Sequence, residues 1–131
     1  MANELILIIE DDDNSRKLLR DALQVKGYET IEALSGEIGL RLTAERRPAL
    51  ILMDIQLPGI SGFDALKTLR SDPRTHSIPV IAVTASVMSS QQNDVLMAGF
   101  DALESKPVSI IGLLRKMRAL LDRQSASSVS T

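Results

Sequence analysis

Four groups of residues in this 131-residue chain could do chemistry, and each lies at or just past the end of a short apolar run. Leu5-Ile6-Leu7-Ile8-Ile9 stops on Glu10-Asp11-Asp12-Asp13, and Ala49-Leu50-Ile51-Leu52-Met53 stops on Asp54. Val80 to Val83 stops on Thr84-Ala85, and Ala102-Leu103 runs toward Lys106-Pro107. Together these groups form a set for handling a phosphoryl group. Two or three carboxylates, with a backbone carbonyl and waters, suit octahedral Mg²⁺, which prefers hard oxygen ligands and keeps part of its hydration. One carboxylate can then attack phosphorus and form an acyl phosphate, because the cation screens charges that would otherwise repel. Lys106 supplies a point charge for the transferred oxygens, Thr84 a hydroxyl donor, and the small Ala85 leaves room beside it.

Taken singly, each group has an ordinary explanation. Asp11 to Asp13 suit a helix N-terminus, Asp54 a turn, and Lys106-Pro107 an exposed lysine before a rigid bend. Placement argues against separate accidents: all four fall at one end of the expected sheet, in complementary roles.

That common end requires parallel strands. The runs Leu5 to Ile9, Ala49 to Met53 and Val80 to Val83 are too short for helices and apolar throughout, as strands buried on both faces are. Glu29 to Ala33 and Ala102-Leu103 are weaker strand candidates. Helical spacing fills the gaps. Leu18, Leu19, Ala22, Leu23 and Val25 stripe the first helix, with Asp12 or Asp13 placed to cap it. Ile38 and Leu42 mark a second, and Phe63, Leu66 and Leu69 a third that begins after Ser61-Gly62. Val95 and Ala98 mark a fourth ending on Gly99, and Ile110, Leu113, Leu114, Met117 and Leu121 stripe a fifth. Five strands alternating with five helices predict an α/β fold, a doubly wound parallel sheet built through right-handed crossovers. Ligand sites in such sheets lie beyond the carboxyl ends of the strands.

Composition narrows the partners. A formal net charge of -2 provides no basic field for a phosphate backbone, which weighs against nucleic acid. The absence of cysteine excludes disulfides and thiolate metal sites. No apolar run reaches membrane-spanning length, and the first residues lack a signal-peptide pattern, so a soluble cytoplasmic protein is expected. Residues 1–123 are expected to form one domain, and the Ser-rich stretch 124–131 a disordered tail.

The motifs Ile8-Ile9-Glu10-Asp11-Asp12, Leu52-Met53-Asp54-Ile55-Gln56-Leu57-Pro58-Gly59-Ile60-Ser61-Gly62, Val83-Thr84-Ala85 and Ser105-Lys106-Pro107 resemble those of response-regulator receiver domains of two-component signalling, over roughly residues 4–122. The stretch Ile51 to Pro58 and the overall length resemble the DivK-type single-domain regulators. The resemblance implies the flavodoxin-like strand order 2-1-3-4-5. It also implies that Asp54 accepts the phosphoryl group, that Asp11 binds Mg²⁺ directly, and that Glu10 acts on metal-bound water. The backbone carbonyl of Gln56 resembles a further ligand, Thr84 the switch hydroxyl, and Lys106 the phosphate-pairing lysine, with a cis bond to Pro107. The implied donor is a sensor histidine kinase or a phosphotransfer protein. The implied output is a protein target on the face of the fourth helix, fifth strand and fifth helix, with Leu103, Val87 and Met88 near its surface.

One position departs from the family pattern. Three residues before the lysine many receivers carry an aromatic that moves with the threonine; this chain has Leu103, which has no hydroxyl and less reach. The switch is therefore expected to depend more on the loop after Thr84 and on the fourth helix. Gln56 stands where an aspartyl phosphohydrolase carries a second acid, which weighs against turnover of external phosphate esters. An unphosphorylated docking module is the other rival, and the intact acidic, hydroxyl and lysine set weighs against it. His76 lies in a polar loop and is expected to be exposed, apart from the chemistry.

Overall fold

The computed structural model describes residues 3–85 and 94–129. Five parallel strands, β1 (Leu5–Ile9), β2 (Glu29–Ala33), β3 (Leu50–Asp54), β4 (Val80–Thr84) and β5 (Ala102–Ser105), form one sheet in the order β2-β1-β3-β4-β5. The connections are α1 (Asp13–Val25), α2 (Gly36–Arg46), α3 (Gly62–Ser71), helical backbone at 94–97 (α4), and finally α5 (Ile110–Val129). The continuous apolar runs are central strands, and β3 and β4 are buried at every position. Among the described residues no helix is long and apolar enough to cross a membrane.

Alternation along each strand builds two cores. Ile6, Ile8, Leu50, Leu52, Ile81 and Val83 face α1 and α5, where Leu19, Leu23, Leu113 and Met117 meet them. Leu7, Ile9, Ile51, Met53, Val80 and Ala82 face the opposite layer, with Leu66 and Leu69 of α3 and Val95 of α4. Each fully buried aliphatic side chain contributes on the order of 1.5–3 kcal/mol, so both cores fix the strands whose ends carry the polar residues.

The structure differs from the sequence expectations at three helices. In α1 only Leu19 and Leu23 are fully buried, while Leu18 is 51% and Val25 82% exposed, because one stripe four residues apart suffices to cover β1 and its neighbours. The buried line of α2 is Gly36, Gly39 and Thr43, with Ile38 and Leu42 only half-buried beside it. A Cβ at Gly39 would collide with the Ile9 side chain, so the helix packs through its missing side chain. The helix α5 continues past Arg123 to Val129, into the stretch expected to be a tail, since an established helix adds residues at little further cost. Gly99 ends α4 with φ 114°, in the left-handed region where glycine is favoured.

Candidate functional site

Register brings the polar strand ends together. Ile9 pairs with Met53 and Asp54 pairs with Val83, so Glu10, Asp54 and Thr84 emerge along one rim. Thr84 pairs with Ser105, and the Lys106 N–H donates to the Thr84 carbonyl at 2.9 Å, which brings the lysine to the same edge. The Lys106-Pro107 bond is cis, as the resemblance implied. Gly62 opens α3 tightly against this rim: its N–H donates to the Ile55 carbonyl at 2.9 Å, and a Cβ there would approach the Asp54 carbonyl oxygen to 2.9 Å.

Asp54 is buried, and its two oxygens have different partners. Oδ1 accepts the Gln56 N–H at 2.9 Å, and Oδ2 accepts from Lys106 Nζ at 3.1 Å. The same ammonium donates to Glu10 Oε1 at 2.5 Å, while Glu10 Oε2 accepts the Asp12 N–H at 3.2 Å. Burial pushes the Glu10 carboxyl above its ordinary range; the Lys106 hydrogen bond opposes that shift, and nearby Asp54 adds to it. Burial works against the charge on Lys106, but its hydrogen bonds to Glu10 and Asp54 outweigh it and hold the ammonium above its ordinary value. One cation thus bridges two buried carboxylates.

Asp11 completes the cluster from an exposed position: Glu10, Asp11 and Asp54 each offer a carboxylate oxygen, and these lie within 4.8 Å of one another. Three hard oxygen donors at that spacing fit a small divalent cation. Thr84 is buried, whereas Ala85 and Gln56 are exposed, so Gln56 reaches the site through its backbone while its side chain faces solvent. Leu103 is half-buried on β5 opposite Ala82, and Lys116 of α5 donates to its carbonyl at 2.7 Å. Val87 and Met88, expected near the output surface, lie outside the described residues. His76 is exposed in the turn leading to β4, before the amino end of that strand, whereas the cluster gathers at the carboxyl ends.

The capping residue of α1 is Asp12, whose side chain accepts the Ser15 N–H at 2.8 Å. One participant escaped the sequence reading. Arg16, one turn into α1, donates to the Glu10 carbonyl at 3.1 Å, the Asp11 carbonyl at 3.5 Å and Glu32 Oε1 at 3.1 Å. The only available signal was an arginine on a helix next to acidic residues, which commonly marks a solvated face.

The family profile described as response regulator receiver domain matches residues 6–118. The polar-differentiation response regulator DivK of Brucella anthropi is 41% identical over 116 residues, spanning 88% of this chain and 94% of that protein. A response-regulator crystal structure from Chloroflexus aurantiacus has a TM-score of 0.87 and 30% identity, covering 92% of this chain and 98% of that one. The receiver domain of a Pseudomonas aeruginosa sensor histidine kinase has a TM-score of 0.85 and 26% identity, covering 92% and 99% of the two chains. That structure has a magnesium ion coordinated in its active-site cleft.

Proposed function

This chain belongs to the response regulator receiver domain family, and from that premise we propose that it is a DivK-like single-domain regulator phosphorylated on Asp54. The donor is the phosphohistidine of a sensor histidine kinase or of a phosphotransfer protein in the cytoplasm. The observation that carries the reading is the setting of Asp54: a buried carboxylate at a strand end, held on one oxygen by Lys106 and on the other by the Gln56 N–H.

In the transfer an Asp54 oxygen forms a bond to phosphorus as the phosphorus–nitrogen bond of the donor breaks. The electron pair returns to the imidazole, which leaves neutral when its other nitrogen carries the proton. Lys106 already stands between Glu10 and Asp54, so it can exchange these carboxylates for phosphoryl oxygens with little movement. The Thr84 hydroxyl, fixed by β4 one residue beyond the strand partner of Asp54, donates to the same group. Glu10, Asp11, Asp54 and the Gln56 carbonyl would hold Mg²⁺, which when bound neutralises charge between the carboxylates and the incoming phosphoryl oxygens.

The outcome is a signal and not product turnover. A phosphoryl group adds about 1.5 to 2 negative charges at the rim, and Thr84 and Lys106 respond by moving toward it. The output face is that of α4, β5 and α5, where Leu96, Leu103, Glu104 and Lys116 line an open groove of about 520 Å³. The target there is a protein.

The test is amide NMR with Mg²⁺ and beryllofluoride on the wild type and on Asp54→Ala. Shifts along residues 84–106 in the wild type alone are expected. Equal shifts in both proteins, or none in either, would overturn the assignment of Asp54.

A further inference from the structure

We propose that Arg16 is a positioning residue for the acidic loop, setting the affinity of the Glu10, Asp11 and Asp54 cluster for Mg²⁺ without touching the ion. The inference rests on the receiver reading of that cluster and goes beyond it. Arg16 spends its guanidinium on the loop's main chain: Nη1 donates to the carbonyls of Glu10 at 3.1 Å and Asp11 at 3.5 Å. Its other nitrogens bind two carboxylates, Asp13 Oδ1 through Nη2 at 2.5 Å and Glu32 Oε1 through Nε at 3.1 Å. Its side chain is only 16% exposed although the helix faces solvent. One planar fork therefore ties three things together: the loop after β1, the first turn of α1 and the carboxyl end of β2.

That loop needs such a tie. Glu10 is buried and fixed by Lys106 and by its place after β1, but Asp11 is exposed, and among the described residues no hydrogen bond of its side chain holds it near Asp54. Main-chain direction aims the Asp11 carboxylate, and the carbonyls of Glu10 and Asp11, which share that direction, are those Arg16 holds. Glu32 fixes the fork in turn, and Arg20 Nη1 lies 3.5 Å from the same Glu32 oxygen. Groups that orient metal ligands without binding the metal commonly control affinity by 10-fold or more.

Charge and position make opposite predictions, which makes the proposal decidable. A bare cation near an acidic cluster repels Mg²⁺, so removing it would tighten binding. A clamp that aims Asp11 does the reverse, and removing it weakens binding.

The test measures the Mg²⁺ dissociation constant by calorimetry for the wild type, Arg16→Gln and Arg16→Lys, with thermal unfolding of each in EDTA. Arg16→Lys keeps the charge and the helix propensity, so it isolates the fork. Both variants are expected to bind Mg²⁺ more weakly, by about 10-fold for Arg16→Gln and by a smaller factor for Arg16→Lys. Phosphorylation by a small phosphodonor is expected to recover to the wild-type rate in both once Mg²⁺ is saturating. Tighter or unchanged binding in Arg16→Gln, or wild-type binding in Arg16→Lys, overturns the proposal. Should Arg16→Gln fail to fold, Arg16→Lys decides alone. Wild type that does not bind Mg²⁺ at all instead sinks the receiver reading beneath it.

Discussion

Replacing Asp54 with asparagine is expected to stabilise the metal-free protein while removing the proposed phosphoacceptor. The size of the effect follows from the charges around it. Lys106 Nζ, 3.1 Å from Asp54 Oδ2, contributes an attraction of about 5 kcal/mol at an effective dielectric near 20. Glu10, with a carboxylate oxygen within 4.8 Å, repels by about 3.5 kcal/mol or more on the same scale. Asp11 repels as well, but solvent screens it. Attraction and repulsion nearly cancel, so the balance falls on desolvation of a carboxylate that is 7% exposed, a cost of several kcal/mol. Asparagine keeps an oxygen for the Gln56 N–H and brings no charge into the site. The expected gain is about 2 kcal/mol, the sum of these opposed contributions. Urea unfolding in EDTA measures it as a rise in midpoint at constant slope. Saturating Mg²⁺ is expected to stabilise the wild type by about 2.7 kcal/mol at a hundredfold excess over its dissociation constant, and the variant much less. An asparagine variant less stable than wild type in EDTA would refute the reasoning, as would equal stabilisation of both by Mg²⁺.

Three further substitutions test other contacts. The Arg118 guanidinium, 2.8 Å from Glu4 Oε2, holds that carboxyl below its ordinary value of 4.5. A depressed carboxyl contributes stability above its unfolded pKa and loses it as pH falls through the folded one. The stability gap between wild type and Arg118→Met is therefore expected to be full at neutral pH and to close below about pH 4.5, followed by denaturant melts across pH. Gly39→Ala forces a methyl into the Ile9 side chain, and about 1–3 kcal/mol of destabilisation is expected in urea melts. Lys116→Met strips the cation 2.7 Å from Glu104, whose side chain is 8% exposed, and is expected to cost about 2 kcal/mol by the same assay.

Strand ends were legible because Leu5–Ile9, Leu50–Met53 and Val80–Val83 are unbroken apolar runs, and Glu10, Asp54 and Thr84 interrupt them abruptly. A change of polarity at a strand end is a signal that chain order preserves. The α2 face of Gly36, Gly39 and Thr43 was not legible, because a helix that packs by lacking side chains leaves no apolar stripe to count. Leu18 and Val25 misled for the opposite reason: they extend an apolar pattern that α1 does not bury. Arg16 was invisible because its one partner at helical spacing is the exposed Asp13, an ordinary surface pair, while the others are main-chain carbonyls and Glu32 on β2, which no helical spacing relates to it. At the site, residue types were legible, but the bridging of Glu10 and Asp54 by one ammonium needed coordinates.

Leu103 lies on β5, the strand that leads to Lys106. β5 is an edge strand of four residues with β4 as its one neighbour. On the site side it is tied through Lys106, whose N–H donates to the Thr84 carbonyl. On the other side its Leu103 carbonyl is held by α5, through Lys116 Nζ at 2.7 Å, and that ammonium also binds Glu104 at 2.7 Å. A short edge strand with one strand neighbour shifts more readily than β3, which has a strand on each side and no exposed residue. In the proposed role, a phosphoryl group that draws Lys106 from Glu10 pulls on β5, and the next contact in line is Lys116. The leucine then contributes packing, while the displacement leaves through the backbone it shares with Lys106 and through the helix that Lys116 belongs to.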